Sequence, residues 1–176
     1  EKEILIKHEA LMLGYYKDVD KTNDIITDGW LHTGDEGEID KDGFLRITGR
    51  VKDIFKTSKG KYIAPSPIEM KLSENSNIEQ VCVVGTGIPQ PIALVVLSDN
   101  AKKSINYKAS IEETLKDVNQ TLDKHEVIHN LIVVDDVWTV ENKFLTPSMK
   151  IKRKSIEKKY QANYSTWYNQ NDIIVL

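Results

Sequence analysis

Three short segments carry side chains whose types and spacing could do chemistry on an anionic or hydroxylated ligand. The first is Gly29-Trp30-Leu31-His32-Thr33-Gly34-Asp35. A glycine tolerates backbone conformations that other residues resist, so Gly34 can turn the chain and leave the Asp35 carboxylate at the end of a strand. A carboxylate accepts two hydrogen bonds at once, which suits the diol of a ribose. Taken alone, Thr-Gly-Asp is also an ordinary loop. His32 has no nucleophile or second ligand beside it and reads as a strand residue.

The second segment is Gly49-Arg50-Val51-Lys52-Asp53-Ile54-Phe55-Lys56, followed by Ser58-Lys59-Gly60-Lys61-Tyr62. Arg50 offers a rigid fork of donors that could reach sugar hydroxyls or a phosphate. Lys52, Lys56, Lys59 and Lys61 could equally blunt the edge of a sheet, a common use of lysine. Gly60 could be a turn glycine and nothing more. The third segment, Leu145-Thr146-Pro147-Ser148-Met149-Lys150-Ile151-Lys152-Arg153-Lys154, is a turn that enters a basic helix. Its run of positive side chains reads by itself as a solvated face or a weak anion patch.

The elements that must hold these residues follow from periodicity. In the first third, Glu3-Ile4-Leu5-Ile6-Lys7 and Glu38-Ile39 suggest strands, and 18–26 suggests a short helix. Lys41-Asp42-Gly43 is a tight-turn signal returning into a strand over 44–48. From Asp53 the pattern changes. Two strands, 54–57 and 61–63, flank Ser58-Lys59-Gly60. Ser66-Pro67-Ile68-Glu69 predicts a helix start, with Ser66 as cap, Pro67 in the first turn and Glu69 closing a capping box. Val81 to Val84, Ile92 to Leu97 and Leu131 to Val134 are apolar runs of strand length. Ile111, Leu115, Val118 and Leu122 recur at helical spacing and predict a long helix over 110–127; a basic helix is expected over 151–160. The fold class is therefore α+β, a small sheet flanked by helices and preceded by a β-rich piece. The division falls near Arg50-Val51-Lys52-Asp53, giving segments 1–51 and 52–176, and a junction this short could serve as a hinge.

Composition narrows the function classes. Hydrophobic residues make up 40% and charged residues 29% of the 176, a globular balance. The formal net charge of -3 gives no reason to expect nucleic acid as a partner. Cys82 is the single cysteine and lies in the apolar run Val81-Cys82-Val83-Val84, which favours a buried inert thiol and suits a reducing compartment. No apolar run approaches the ~18 residues of a membrane span. The first residue is Glu1 and no signal peptide is visible, so the chain is expected to begin inside a longer polypeptide.

In order and together, the three segments resemble the motifs of the adenylate-forming superfamily, which includes acyl- and aryl-CoA synthetases, firefly luciferase and the adenylation domains of peptide synthetases. Gly14-Tyr15-Tyr16 and Asp28-Gly29-Trp30 match the lead-in, and Tyr62 to Glu69 extends the match, so the resemblance covers essentially the whole chain. The stretch from Gly49 to Ile63 looks most like the AMP-forming long-chain fatty acyl-CoA ligases. Each motif is weak alone; three in order are specific.

The resemblance implies an enzyme that joins a carboxylic acid to AMP, using ATP, and passes the acyl group to CoA, with Mg²⁺ accompanying ATP. It implies the end of a large N-terminal AMP-binding domain over 1–51 and a mobile C-terminal domain over 52–176. Asp35 would hold ribose hydroxyls, Arg50 would contact the nucleotide sugar and Ile47 would lie beside the nucleotide. Lys52 would be the hinge. Lys150 would bridge the attacking carboxylate and the α-phosphate, and Lys56, Gly60 and Lys61 would face the thioester step. No metal-ligand cluster is visible. Where many relatives have Ser-Gly before the catalytic lysine, this chain has Ser148-Met149, which leaves Lys152 and Lys154 as alternatives. The loop at Lys59 is one residue longer than in acetyl-CoA synthetases. The family's glycine-rich phosphate loop, adenine motif and acyl pocket are absent from these residues, so the fragment alone is expected to be inactive. The missing N-terminal domain is the implied partner, and the cytoplasm, or the periphery of a membrane, the expected location. Transfer to a carrier-protein thiol and a non-enzymatic nucleotide-binding module are the rival readings.

Overall fold

Residues Val81, Cys82, Val83 and Val84 alternate between two hydrophobic cores, as the period of two along a strand requires. Val81 and Val83 pack into one core with Ile68, Leu72 and Ile111, and Cys82 and Val84 into another with Trp138, Ile156 and Tyr164. The structure is a computed structural model describing residues 2–104 and 106–170 and the backbone of 174–175. Its chain divides into two compact units, Glu1–Lys52 and Asp53–Leu176.

The first unit is built on β3 (Trp30–Ile39). β1 (Glu3–Ile6) runs antiparallel along one edge. On the other edge, β2 (Ile26–Thr27) pairs with the start of β3 and β4 (Leu45–Arg50) with its second half. Helix α1 (Val19–Ile25) precedes β2, capped by Asp18, whose side chain accepts from the Lys21 N–H. Between β3 and β4, Asp40 accepts from the amides of Asp42 and Phe44, and Gly43 takes the left-handed backbone that the turn requires (φ +87°). A single strand over 30–39 replaces the shorter strand and loop expected from the sequence.

The second unit carries a four-stranded sheet ordered β10-β9-β8-β7. Strand β7 (Ile78–Val84) is antiparallel to β8 (Ile92–Leu97), and β9 (Leu131–Val133) is parallel to β8. β10 (Ile174–Val175) is parallel to β9. Every residue of β8 is buried, as expected for a strand covered on both faces. The parallel β8–β9 pair needs a crossover, supplied by α3 (Asp99–Lys102) and α4 (Tyr107–Gln120). Helix α2 (Pro65–Leu72) and α4 cover one face; α5 (Arg153–Tyr160) and α6 (Tyr164–Tyr168) cover the other. A separate hairpin, β5 (Phe55–Lys56) and β6 (Tyr62–Ile63), precedes α2.

Three local expectations are corrected. α2 begins two residues earlier than expected, with Ala64 at the cap position and no side-chain cap; Pro65 opens the helix. Glu69 does not close a capping box: its carboxylate accepts from the Val83 N–H and from Arg153. α4 starts at Tyr107 and stops at Gln120 rather than covering 110–127, because Thr121 and Leu122 tighten into turns there. The side chain of Asn119 bonds both the amide and the carbonyl of Ile128, fixing the loop that follows.

Candidate functional site

Thr33, Gly34 and Asp35 lie inside a bulge, not at a strand end. Between two paired positions β1 advances from Glu3 to Leu5 while β3 runs from Glu36 to His32, so β3 has extra residues to accommodate. Gly34 absorbs them with φ +73°, where a side chain would be strained. The bulge is tied down on several sides. Thr33 Oγ1 donates to the Ile4 carbonyl at 2.8 Å and accepts from the Asp35 N–H at 3.1 Å. Glu3 spans it: Oε1 accepts from the Gly34 N–H at 2.9 Å and Oε2 lies 2.8 Å from His32 Nδ1. The His32 contact, then the Gly34 amide, holds the Glu3 carboxyl below the usual carboxylate range against the opposing effect of burial.

Asp35 faces Arg50 across the β3–β4 ladder, and Arg50 Nε donates to Asp35 Oδ1 at 2.9 Å. The pair is open to solvent, with the Arg50 side chain 55% and that of Asp35 26% exposed. Ile47, on β4 opposite Gly37, is exposed. This unit thus presents a carboxylate, a guanidinium and an apolar side chain from one pair of strands. Lys52 is exposed within a short 3-10 turn, Val51–Asp53.

In the second unit, the β5–β6 hairpin buries Phe55, Thr57 and Ile63 and exposes Lys56, Lys59, Gly60 and Lys61. The Thr57 N–H donates to the Lys61 carbonyl, and the Gly60 N–H to that of Thr57, with Gly60 at φ +77°. The Ser58 N–H donates to the Ile88 carbonyl, which ties this turn to the loop after β7. Lys56 Nζ stands 5.3 Å from the centre of the Tyr62 ring.

Lys150 sits near the tip of a second tight hairpin. Leu145 bridges Ile151, the Thr146 N–H donates to the Lys150 carbonyl and the Lys152 N–H to that of Phe144, both at 2.8 Å. Leu145 is buried at the base, while Pro147, Ser148, Met149 and Lys150 are exposed. Met149 takes φ +60°, the left-handed conformation that a glycine adopts without strain. Lys150 forms no ion pair among the described residues. Lys152 and Lys154 are also exposed.

The basic run is not a uniform solvated face. Arg153 turns inward, with 10% of its side chain exposed, and binds Glu69 with both guanidinium ends at 2.7 and 2.9 Å. Sequence reasoning missed both residues as partners. A Glu and an Arg separated by 84 positions give no local signal. Cys82 is a free, buried thiol beside them, and burial pushes its pKa far above the ordinary thiol value. No cluster of three or more His, Cys, Asp or Glu suited to a metal ion occurs among the described residues, and no described helix is long and apolar enough to cross a membrane.

Comparison with known proteins places these features in a family context. Residues 52–172 match the family model of the AMP-binding enzyme C-terminal domain. The long-chain-fatty-acid–CoA ligase FadD15 of Mycobacterium tuberculosis is 33% identical over 96% of this chain, which spans 31% of that relative's length. Long-chain-fatty-acid–CoA ligase 5 of Mus musculus is 34% identical over 96% of the chain, which spans 28% of it. Among solved structures, the adenylation domain of a carboxylate reductase from Mycobacterium chelonae superposes with a TM-score of 0.80 at 26% identity, covering 96% of this chain and 28% of that one. The A-PCP didomain of carboxylic acid reductase from Segniliparus rugosus, in complex with AMP, superposes with a TM-score of 0.77 at 25% identity, over 96% of this chain and 25% of that one.

Proposed function

Because this chain belongs to the adenylate-forming superfamily and carries its AMP-binding enzyme C-terminal domain, we propose that it is part of an AMP-forming ligase that activates a long-chain fatty acid and transfers the acyl group to CoA. In the first half-reaction a carboxylate oxygen attacks the α-phosphorus of ATP, the bond to the β-phosphate oxygen breaks, and pyrophosphate leaves. In the second the CoA sulfur, having lost its proton, attacks the acyl carbon and AMP departs with the bonding pair. The fatty-acid assignment rests on the names of the relatives, of which this chain spans less than a third.

The observation that carries the reading is the exposed Lys150, held near the tip of a hydrogen-bonded hairpin with no ion pair of its own among the described residues. In the proposed mechanism its ammonium meets the charge that builds on the α-phosphoryl oxygens during displacement. Asp35 accepts the ribose hydroxyls, Arg50 holds Asp35 and contacts the sugar, and Ile47 lies against the nucleotide. The open solvent side of the Asp35–Arg50 pair fits such a ligand. Mg²⁺ would arrive with ATP. Lys56, Gly60 and Lys61 face the thiol step, and Lys52 is the hinge about which residues 52–176 turn from one half-reaction to the other against the AMP-binding domain that ends in residues 1–51.

A second reading, transfer to a carrier-protein thiol, is favoured by the A-PCP didomain among the structural neighbours. A non-enzymatic nucleotide-binding module is the weaker rival, since it has no need of Lys150. The proposed compartment is the cytoplasm, with peripheral membrane association as its variant.

The test measures the two half-reactions separately in the full-length protein that carries this chain. Lys150→Ala should slow adenylation by about 100-fold or more, the usual order for losing a positioned charge stabiliser. Thioester formation from supplied acyl-adenylate should persist. Lys52→Pro, which fixes φ, should do the reverse. Equal losses in both steps for both variants would sink the two-step reading. The 176 residues alone should show no fatty-acid-dependent ATP–pyrophosphate exchange.

A further inference from the structure

The Lys150 hairpin is exposed at its tip and spans no regular strand pair, only the bridge between Leu145 and Ile151. The hydrogen bonds of the tip run within the hairpin, from the Thr146 N–H to the Lys150 carbonyl, from the Met149 N–H to the Thr146 carbonyl and from the Lys150 N–H to Thr146 Oγ1, so they fix its shape and not its stance on the domain. Its place must be set at its base. One side of the base is Leu145, buried in the core with Trp138 and Ile156. The other side runs through Lys152 directly into Arg153, the first residue of α5.

Arg153 is tied to two further elements at once. Its Nη1 and Nη2 donate to Glu69 Oε1 and Oε2 on α2 at 2.7 and 2.9 Å. Nη1 also donates to the Val83 carbonyl on β7 at 2.6 Å and lies 3.2 Å from Cys82 Sγ. Glu69 Oε1 in turn accepts from the Val83 N–H at 2.7 Å, so carboxylate and guanidinium both engage the backbone of one strand residue. A planar fork on a carboxylate fixes direction as well as distance, which a single ammonium cannot do. Glu69 and Val81 also line a groove of about 500 Å³ beside Leu145, Met149 and Ile151, so the anchor and the hairpin are neighbours in space as well as in sequence.

We propose that Arg153 is a positioning residue for Lys150: its fork on Glu69 sets the stance of the hairpin on α2 and β7, and through it the reach of the Lys150 ammonium. The inference rests on the adenylation role given to Lys150 above. A misplacement of about 1 Å in a reacting group can cost on the order of 100-fold in rate, so a small shift at the base matters at the tip. Substituting either partner leaves Lys150 itself intact. The effect should therefore be confined to the step that uses Lys150.

Two measurements on Arg153→Lys and Glu69→Gln test this. In the 176-residue chain, hydrogen exchange is read at the amides of Thr146, Met149, Lys150 and Lys152, all hydrogen-bonded within the hairpin, and at Leu94 and Val95 in the sheet. The hairpin amides should exchange about 10-fold faster or more, with the sheet unchanged. In the full-length protein, adenylation should fall roughly 10- to 100-fold in kcat with little change in the KM for ATP, and thioester formation from supplied acyl-adenylate should be spared. Unchanged hairpin exchange with unchanged adenylation overturns the proposal. So does equal loosening of hairpin and sheet with both half-reactions falling together, which would make the ion pair a general structural tie. Lys150→Ala serves as the reference. If it leaves adenylation intact, the reading of Lys150 fails, and the anchoring of the hairpin is decided by the exchange data alone.

Discussion

Arg50 donates from Nε to Asp35 Oδ1 at 2.9 Å across two paired strands, so the guanidinium that could reach a ligand also fixes the carboxylate that could bind it. The pair is too exposed to matter much to folding, since such pairs contribute about 0–1 kcal/mol. Its expected value lies in orientation. Arg50→Met should leave the melting temperature nearly unchanged while weakening AMP binding by the full-length protein about 10-fold, the loss of one charge-assisted contact. Calorimetric titration with AMP beside a thermal melt reads both. A large drop in melting temperature with unaltered AMP affinity would assign the pair to stability instead.

Glu3 is expected to hold the Asp35 bulge through the Gly34 amide in a pH-dependent way. Its folded-state pKa is lowered, first by the hydrogen bond with His32 and then by the Gly34 N–H. A lowered carboxyl contributes stability that is fully present above its unfolded pKa and is lost as pH falls through the folded one. The clamp should therefore be intact at neutral pH and release only below the usual value of 4.5. The Gly34 amide resonance should titrate in that acid window and stop doing so in Glu3→Gln. A midpoint at or above the usual value would show that Glu3 is not clamped.

Met149 and Met70 are both exposed methionines with opposite backbone demands. Met149 is left-handed at φ +60°, a strain of about 1–2 kcal/mol for a residue with a side chain. Met70 lies within helix α2, where glycine costs about 1 kcal/mol. Met149→Gly should be neutral or stabilising by about 0.5 kcal/mol after the extra chain entropy of glycine is counted. Met70→Gly should destabilise. Urea unfolding ranks them, and the opposite ranking would contradict the left-handed assignment at 149.

Gly85 sits where a β-carbon would lie 2.7 Å from Phe55 Cε2 and 3.0 Å from Pro91 Cα. Gly85→Ala should destabilise the second unit by about 1–3 kcal/mol, the usual range for overpacking. The strain should fall on Phe55, whose strand begins the hairpin carrying Lys56, Gly60 and Lys61. Adding Phe55→Leu should therefore cost less in the Gly85→Ala background than in the parent chain. Strictly additive losses in chemical denaturation would mean that Pro91, not Phe55, takes up the clash.

Local patterns in the sequence were enough for the elements whose cause is local. The apolar runs at 81–84 and 92–97 are strands because both faces of each must be covered, and Ile111, Leu115 and Val118 form one helical face; Leu122, read as its fourth member, lies in the turn beyond the helix end. The turn read at Lys41-Asp42-Gly43 is there, with Gly43 left-handed and the Asp40 carboxylate accepting from the Asp42 and Phe44 amides. The motif order from Asp35 through Arg50 to Lys150 was equally legible, because a family resemblance is carried by residue types and their separations. The tertiary structure decided the rest. Asp35 lies within a ten-residue strand instead of at its end because β3 has partners on both edges, and the run Thr33-Gly34-Asp35 shows none of the alternation that would announce them. Glu69 is not at a capping position because α2 opens two residues earlier, at Pro65, and its carboxylate instead meets a guanidinium from 84 residues away. Arg153 stands among lysines that remain in water, and only the packing of α5 against β7 and α2 selects it for burial. A charge can be buried where an opposite charge and a strand carbonyl are already in place, and that coincidence is a property of the assembled fold, not of the segment.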